Sequence, residues 1–138
     1  MKVTLQGLAD HLTFMAKGDS GHWITLDADE SLHGFNAGTR PMELVLEALG
    51  GCTAMDVLSI LRKKRMNFDR FAMDIEAERA GEHPKVFTKI HVVYKFWGNE
   101  LSEKSITRAI ELSETRYCSV SVMLRSTAEI TSEYLLNP

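Results

Sequence analysis

Pro41-Met42-Glu43-Leu44-Val45-Leu46-Glu47-Ala48-Leu49-Gly50-Gly51-Cys52-Thr53-Ala54-Met55-Asp56-Val57-Leu58-Ser59-Ile60-Leu61-Arg62-Lys63-Lys64-Arg65 is the segment around which the remainder of the chain arranges itself. Proline suits a first helical position, where its missing N–H is not needed, and it pushes Arg40 out of the α region. Leu44, Val45, Ala48, Leu49, Cys52, Met55, Leu58, Ser59 and Leu61 then recur at three- and four-residue steps as far as the basic run Arg62-Lys63-Lys64-Arg65. Cations favour a helix C-terminus. The spacing therefore predicts a helix of about 24 residues, or ~36 Å. Its middle, from Ala48 to Ala54, carries no charge, which predicts a central element buried on most sides. Gly50 and Gly51 are out of place there, since each costs roughly 1 kcal/mol relative to alanine inside a helix. Either they permit close packing, with Cys52 a small core residue, or they leave a gap through which a reactant or partner reaches the sulfur.

Upstream, Val3, Leu5, Leu8, Leu12, Phe14, Trp23, Ile24 and Leu26 are punctuated by the turn cluster Lys17-Gly18-Asp19-Ser20-Gly21, which predicts short strands and a hairpin. Asp27 to Thr39 holds Gly34, Asn36 and Gly38 without a sustained period and reads as a loop with at most a short strand. Downstream, Phe71, Met73, Ile75 and Ala77 alternate with Asp74, Glu76 and Glu78, giving a one-sided strand over Arg70 to Arg79. Gly81 to Pro84 turns the chain into a second strand, Ile90, Val92, Tyr94 and Phe96, with His91 and Lys95 facing the other way. An antiparallel hairpin follows. Ser102 is a fitting N-cap for a second helix through Ile106, Ala109, Ile110 and Leu112 towards Tyr117. A short third helix spans Cys118 to Leu124, and the alternation from Ala128 to Leu136 closes the chain as a strand. No repeat, low-complexity tract or linker divides it, so one domain, 1–138, is expected.

The 138 residues are 44% hydrophobic and 25% charged, the composition of a globular domain. Lys+Arg number 16 against 19 Asp+Glu, a net charge of −3 that argues against nucleic acid as a partner. The apolar residues read as short bursts rather than a membrane span, and Met1 to Asp10 has no signal-peptide pattern, so a cytoplasmic protein with no membrane partner is expected. Two cysteines are too few for a disulfide scaffold. Cys52 and Cys118 are far apart in sequence, and neither has another Cys or a His within zinc-ligand spacing, so structural zinc is set aside. Cys118 falls at a break between two helices, where backbone N–H groups favour a thiolate, although position alone fits a buried structural cysteine equally well. His11, His33, His83 and His91 are scattered singly as surface or core residues.

Three segments, Arg40-Pro41-Met42-Glu43-Leu44, Ala48-Leu49-Gly50-Gly51-Cys52 and Tyr117-Cys118-Ser119-Val120-Ser121, together with Ser20-Gly21-His22 in the hairpin, resemble the OsmC/Ohr superfamily and within it the YhfA-like branch. The resemblance covers essentially the whole chain. It implies an α+β fold in which antiparallel sheets wrap two long central helices and two chains intertwine as a homodimer, with active sites at the subunit interface. It also implies a thiol-dependent hydroperoxide reductase: Cys52 would be the peroxidatic thiolate attacking an organic hydroperoxide, and Cys118 the resolving thiol that condenses with the sulfenic acid to a disulfide. An external dithiol of the lipoyl type would reduce that disulfide, and neither a cofactor nor a metal is implied.

Catalytic relatives place a glutamate directly after the helix-starting proline and pair it with an arginine. Here that position is Met42, ten residues before Cys52 and about 80° around the helix from it, whereas Glu43 lies on the opposite face. In the Ohr type the arginine lies in the N-terminal hairpin turn, where this chain has Lys17, which cannot reproduce a bidentate fork. Arg40 beside the helix start is the remaining candidate activator, its plainer reading being a loop arginine. Asp56 follows Cys52 by one helical turn on the same face and opposes thiolate formation unless a cation offsets it; a hydrogen bond to His22 or Arg40 is the alternative. His22 belongs to the branch motif and borders the expected site. Two further readings stay open beside the peroxidase: a binding protein holding a small hydrophobic ligand at the dimer interface, with Met42, Met55, Met66 or Met123 as lining, and a thiol redox sensor.

Overall fold

The computed structural model describes residues 1–8 and 10–138. The chain separates into two compact units, Met1–Glu47 and Ala48–Pro138. In the first, β1 (Thr4–Gly7), β2 (Phe14–Lys17) and β3 (Trp23–Leu26) form an antiparallel sheet in that order. The expected hairpin is present: Phe14 pairs with Leu26 and Lys17 with Trp23. Gly21 N–H closes the turn onto Gly18 C=O at 3.0 Å, and Gly21 supplies the positive φ of 81° that the turn requires.

The loop that follows is organised by one carboxylate. Asp27, 2% exposed, accepts N–H bonds from Ala28 at 2.8 Å, Phe35 at 3.0 Å and Ala37 at 2.9 Å. Within the loop Glu30–Leu32 make a single 3-10 turn, with Asp29 Oδ1 accepting from Ser31 N–H at 2.9 Å. The short strand expected there is reduced to one bridge between Leu26 and Thr39. A Cβ on Gly34 would collide with the Ala28 backbone, so the loop folds back too tightly for any other residue.

Helix α1 runs from Pro41 to Lys63. Glu43 Oε2 reaches back to Arg40 N–H at 2.9 Å, as in a capping box. At the other end Arg65 takes a positive φ of 56°, and Met66 N–H bonds Leu61 C=O at 3.1 Å while Arg65 N–H bonds Arg62 C=O at 2.9 Å, a Schellman ending. Two expectations are corrected here. Between Leu44 and Leu61 only Glu47 and Asp56 are charged, because the residues interrupting the leucines are glycine, alanine, threonine and serine. The helix is therefore long and apolar enough, by length and composition, to cross a bilayer. Nor is it buried on most sides within one chain. A single sheet covers one side of a helix, and only the stripe Leu49, Thr53, Val57 and Leu61 is fully buried, whereas Met55 is 75% exposed.

The second unit adds β4 (Arg70–Arg79), β5 (Phe87–Trp97), α2 (Glu103–Leu112), α3 (Ser119–Leu124) and β6 (Glu129–Leu136). Its sheet has the order β4-β5-β6. β4 and β5 form the expected antiparallel hairpin, Arg70 opposite Trp97. The expectation of antiparallel sheets throughout is corrected by β6, which runs parallel to β5 from Lys89 opposite Glu129 to Phe96 opposite Leu136. A parallel neighbour requires a crossover, and α2 and α3 supply it. Ile90, Val92, Tyr94 and Phe96 on the central strand are at most 1% exposed and form the floor of the core. Facing the other way, His91 Nδ1 meets Thr131 Oγ1 at 2.8 Å and Lys95 pairs with Asp74.

The N–H bonds into Asp27, that from Ala37 foremost, hold its carboxyl below the ordinary 3.8. A depressed folded-state value stabilises above the unfolded-state value and is lost as pH falls through the folded one. Asp27→Asn is expected to lower the melting temperature at neutral pH and to flatten the acid limb of the stability curve, as followed by thermal melts between neutral pH and pH 3. An acid limb identical to that of the wild type would contradict the assignment.

Candidate functional site

In the second unit three side chains from two elements converge on one point. Cys52 and Asp56 project from α1 one turn apart, and Cys118 stands at the N-cap of α3. The two sulfurs and a carboxylate oxygen of Asp56 all lie within 4.8 Å of one another. Gly50 explains how α1 comes near the sheet: a Cβ there would stand 3.1 Å from Ile75 Cδ1, so the helix rests on β4 at a glycine. Gly51, by contrast, faces open space, with nothing within 4 Å of a Cβ built on it. Of the two readings of the glycine pair, close packing describes Gly50 and a gap describes Gly51.

Cys118 is delivered by an irregularity. α2 does not continue to Tyr117 as an α-helix; Ser113–Tyr117 widen into a single π turn, closed by Cys118 N–H on Ser113 C=O at 2.9 Å. Such turns re-aim the chain and recur at functional sites. Thr115 Oγ1 donates back to Glu111 C=O at 2.7 Å, a bond that bends helices. The turn also directs the fully buried Ser113 inward, where its hydroxyl donates to Asp56 Oδ2 at 3.2 Å. Within the second unit, then, a serine hydroxyl is the hydrogen-bond partner of Asp56 Oδ2. Beyond the turn, Ser121 N–H donates to Cys118 Sγ at 3.4 Å.

The two thiols are not equivalent. Cys52 is half-buried and Cys118 is 0% exposed. Burial, reinforced by the hydrogen bond shared with Cys52, pushes the Cys118 thiol up to about 11, so it is a neutral S–H at physiological pH. Tyr94 lies below, 0% exposed, and its hydroxyl and that of Ser121 have no hydrogen-bond partner among the described residues. Burial raises the Tyr94 phenol above its ordinary range, and negative charge on Glu114, Cys118 and Asp56 acts in the same direction. Beside Asp56 a cleft of about 390 Å³ opens between Ile60, Lys63, Leu112 and Tyr117.

The remaining sequence candidates belong to the first unit. The Arg40 guanidinium donates to Gly38 C=O at 3.0 Å and Asn36 Oδ1 at 2.6 Å and pairs with Asp29 at 3.5 Å, which makes it a brace for the loop. Glu43 caps α1, Met42 is half-buried at its first turn, and His22 is exposed in the turn before β3. Sequence reasoning missed Ser113, Ser121 and Tyr94. Ser113 left a trace, since it extends the buried stripe Ile106, Ala109 and Ile110 with a polar residue. In a pH series followed by the thiolate absorbance at about 240 nm, with Cys118→Ser as the reference, the folded protein is expected to ionise Cys118 with a midpoint near 11; a midpoint near 8.5, about the value of a free thiol, would contradict its burial as a neutral group.

The OsmC-like protein family model matches residues 34–133. Protein YhfA of Escherichia coli K12 is 38% identical over 123 residues, 89% of each chain. A hypothetical protein from Aquifex aeolicus VF5 shares 31% identity and superposes with a TM-score of 0.80 over 99% of this chain and 97% of its own. An organic hydroperoxide resistance protein from Legionella pneumophila, 13% identical, shares the fold at a TM-score of 0.68 over 96% and 94% of the two chains. With two cysteines brought together from distant elements of that fold, the chain belongs to the OsmC-like family.

Proposed function

We propose that this chain is a thiol-dependent reductase of organic hydroperoxides, with Cys52 peroxidatic and Cys118 resolving. The observation that carries this reading is the approach of a half-buried and a fully buried thiol to within 4.8 Å, from elements distant in sequence. The accessible sulfur, as a thiolate, attacks the terminal peroxide oxygen; the O–O bond breaks, and the leaving alkoxide takes a proton to become an alcohol. Cys52 is then a sulfenic acid. Cys118 retains its proton until this moment because of its burial. Its proton passes to the adjacent Asp56 carboxylate as the sulfur displaces the sulfenic hydroxyl and the S–S bond forms, and the departing hydroxyl takes that proton from Asp56 to leave as water. An external dithiol, of the lipoyl type in characterised relatives, restores both thiols by exchange.

The cleft beside Asp56 suits such a substrate, with Ile60, Leu112 and Tyr117 for an alkyl group and Lys63 at the rim. We also propose a homodimer. Met55, Val122 and Met123 are 75%, 58% and 64% exposed in the single chain, an apolar display that a second copy would cover.

Treating the reduced protein with cumene hydroperoxide is expected to remove about 2 Da, localised by non-reducing peptide mapping to a Cys52 to Cys118 bond and reversed by dihydrolipoamide. Cys52→Ser should abolish peroxide consumption, and Cys118→Ser should stop after one turnover at a sulfenic acid. Both thiols left free at saturating peroxide would overturn the reading.

A further inference from the structure

The same three groups have a second capacity that does not depend on peroxide chemistry. We propose that reduced Cys52, Asp56 and Cys118 form a three-ligand site for a thiophilic divalent cation, Zn²⁺ first among them. Ligands at i and i+4 on one helix face are a recurrent way to hold zinc, with the third ligand brought from another element. Cys52 and Asp56 have that spacing on α1, and Cys118 comes from the start of α3. Two thiolates and a carboxylate suit Zn²⁺ better than the hard cations Mg²⁺ or Ca²⁺. Tetrahedral zinc with bonds of ~2.3 Å to sulfur sets its sulfur ligands ~3.8 Å apart. The present separations, up to 4.8 Å, therefore close by side-chain rotation of about 1 Å.

Sequence spacing had set zinc aside because neither cysteine has a nearby Cys or His; the fold supplies what the spacing lacks. It also supplies supports behind the ligands. Ser113 O–H donates to Asp56 Oδ2, and Ser121 N–H donates to the Cys118 sulfur. Groups that fix ligands in this way typically govern metal affinity by about 10- to 100-fold. With Cys52 and Asp56 half-buried, entry is from their side, and the fourth position falls to water as in open zinc sites. Binding takes both sulfurs as thiolates, so whatever thiol protons they carry pass to solvent. A disulfide between the two cysteines would remove both sulfur ligands and expel the cation. That last consequence rests on the peroxidase reading; the binding itself does not.

The test is an anaerobic titration of the reduced, chelator-treated full chain with Co²⁺. The expected result is one ion per chain, with a thiolate-to-cobalt charge-transfer band and the intense visible absorption of tetrahedral Co²⁺, both displaced by Zn²⁺. Cys52→Ser and Cys118→Ser should each diminish the charge-transfer band, and Asp56→Asn should weaken binding at least about tenfold while retaining both thiolates. In the unaltered protein, Zn²⁺ should slow maleimide labelling of Cys52, a readout that needs no variant to fold. No charge-transfer band, a band untouched by Cys52→Ser, an affinity untouched by Asp56→Asn, or unprotected Cys52 would each overturn the site. The peroxide experiment is run in chelator, so its failure and the failure of metal binding are read separately.

Discussion

The close seating of α1 on the second sheet is the constraint on which the rest of that unit depends. A helix is held at 8–10 Å from its neighbours by the side chains between them. At Gly50 there is none, and Ile75 fills the place a Cβ would approach. The stripe Leu49, Thr53, Val57 and Leu61 is consequently buried to the last few per cent. Thr53 can occupy that stripe because its hydroxyl donates to the Leu49 carbonyl at 2.9 Å within the helix. Cys52 and Asp56 flank the stripe, so the depth at which they sit follows from the glycine two residues before the thiol.

The opposite wall is built by a defect in regularity. An unbroken α2 would carry Ser113 and Cys118 past α1 at helical spacing; the π turn instead presents the serine to Asp56 and anchors the Cys118 backbone on the serine carbonyl. One residue thereby orients the carboxylate and positions the buried thiol. The Cys118 thiol and the Tyr94 phenol share a region whose floor is the apolar face of β5, where burial favours their neutral forms. This is why Cys118 is held as a thiol while the half-exposed Cys52 is the sulfur that meets solvent.

Much of this was legible in the residues. Pro41 marks the helix start, the alternation of Phe71, Met73 and Ile75 marks β4, and Ser102 caps α2 by accepting from Ser105 N–H at 3.3 Å. Period two tells which face of a strand is apolar but not which way its neighbour runs, so the parallel pairing of β6 could not be read. The π turn was hidden because Ser113 and Thr115 do not disturb the apolar period before them. Cys52 and Asp56 were placed on one helix face from spacing alone. That Ser113 meets Asp56 across 57 positions is a long-range fact spacing does not show, and so is the engagement of Arg40 by Asn36, Gly38 and Asp29 within the first unit.

The parallel strand pair also separates a short loop closure from a long one. The β4–β5 hairpin joins neighbours in sequence and closes a short loop, whereas β5 and β6 meet only after α2, the π turn and α3 have been threaded between them. Contacts of that kind close a larger loop at a greater cost in chain entropy. Cys118 lies within the threaded segment and Cys52 lies before the hairpin, so the two sulfurs stand together only where that larger loop is closed, and whatever opens the crossover parts the thiol pair.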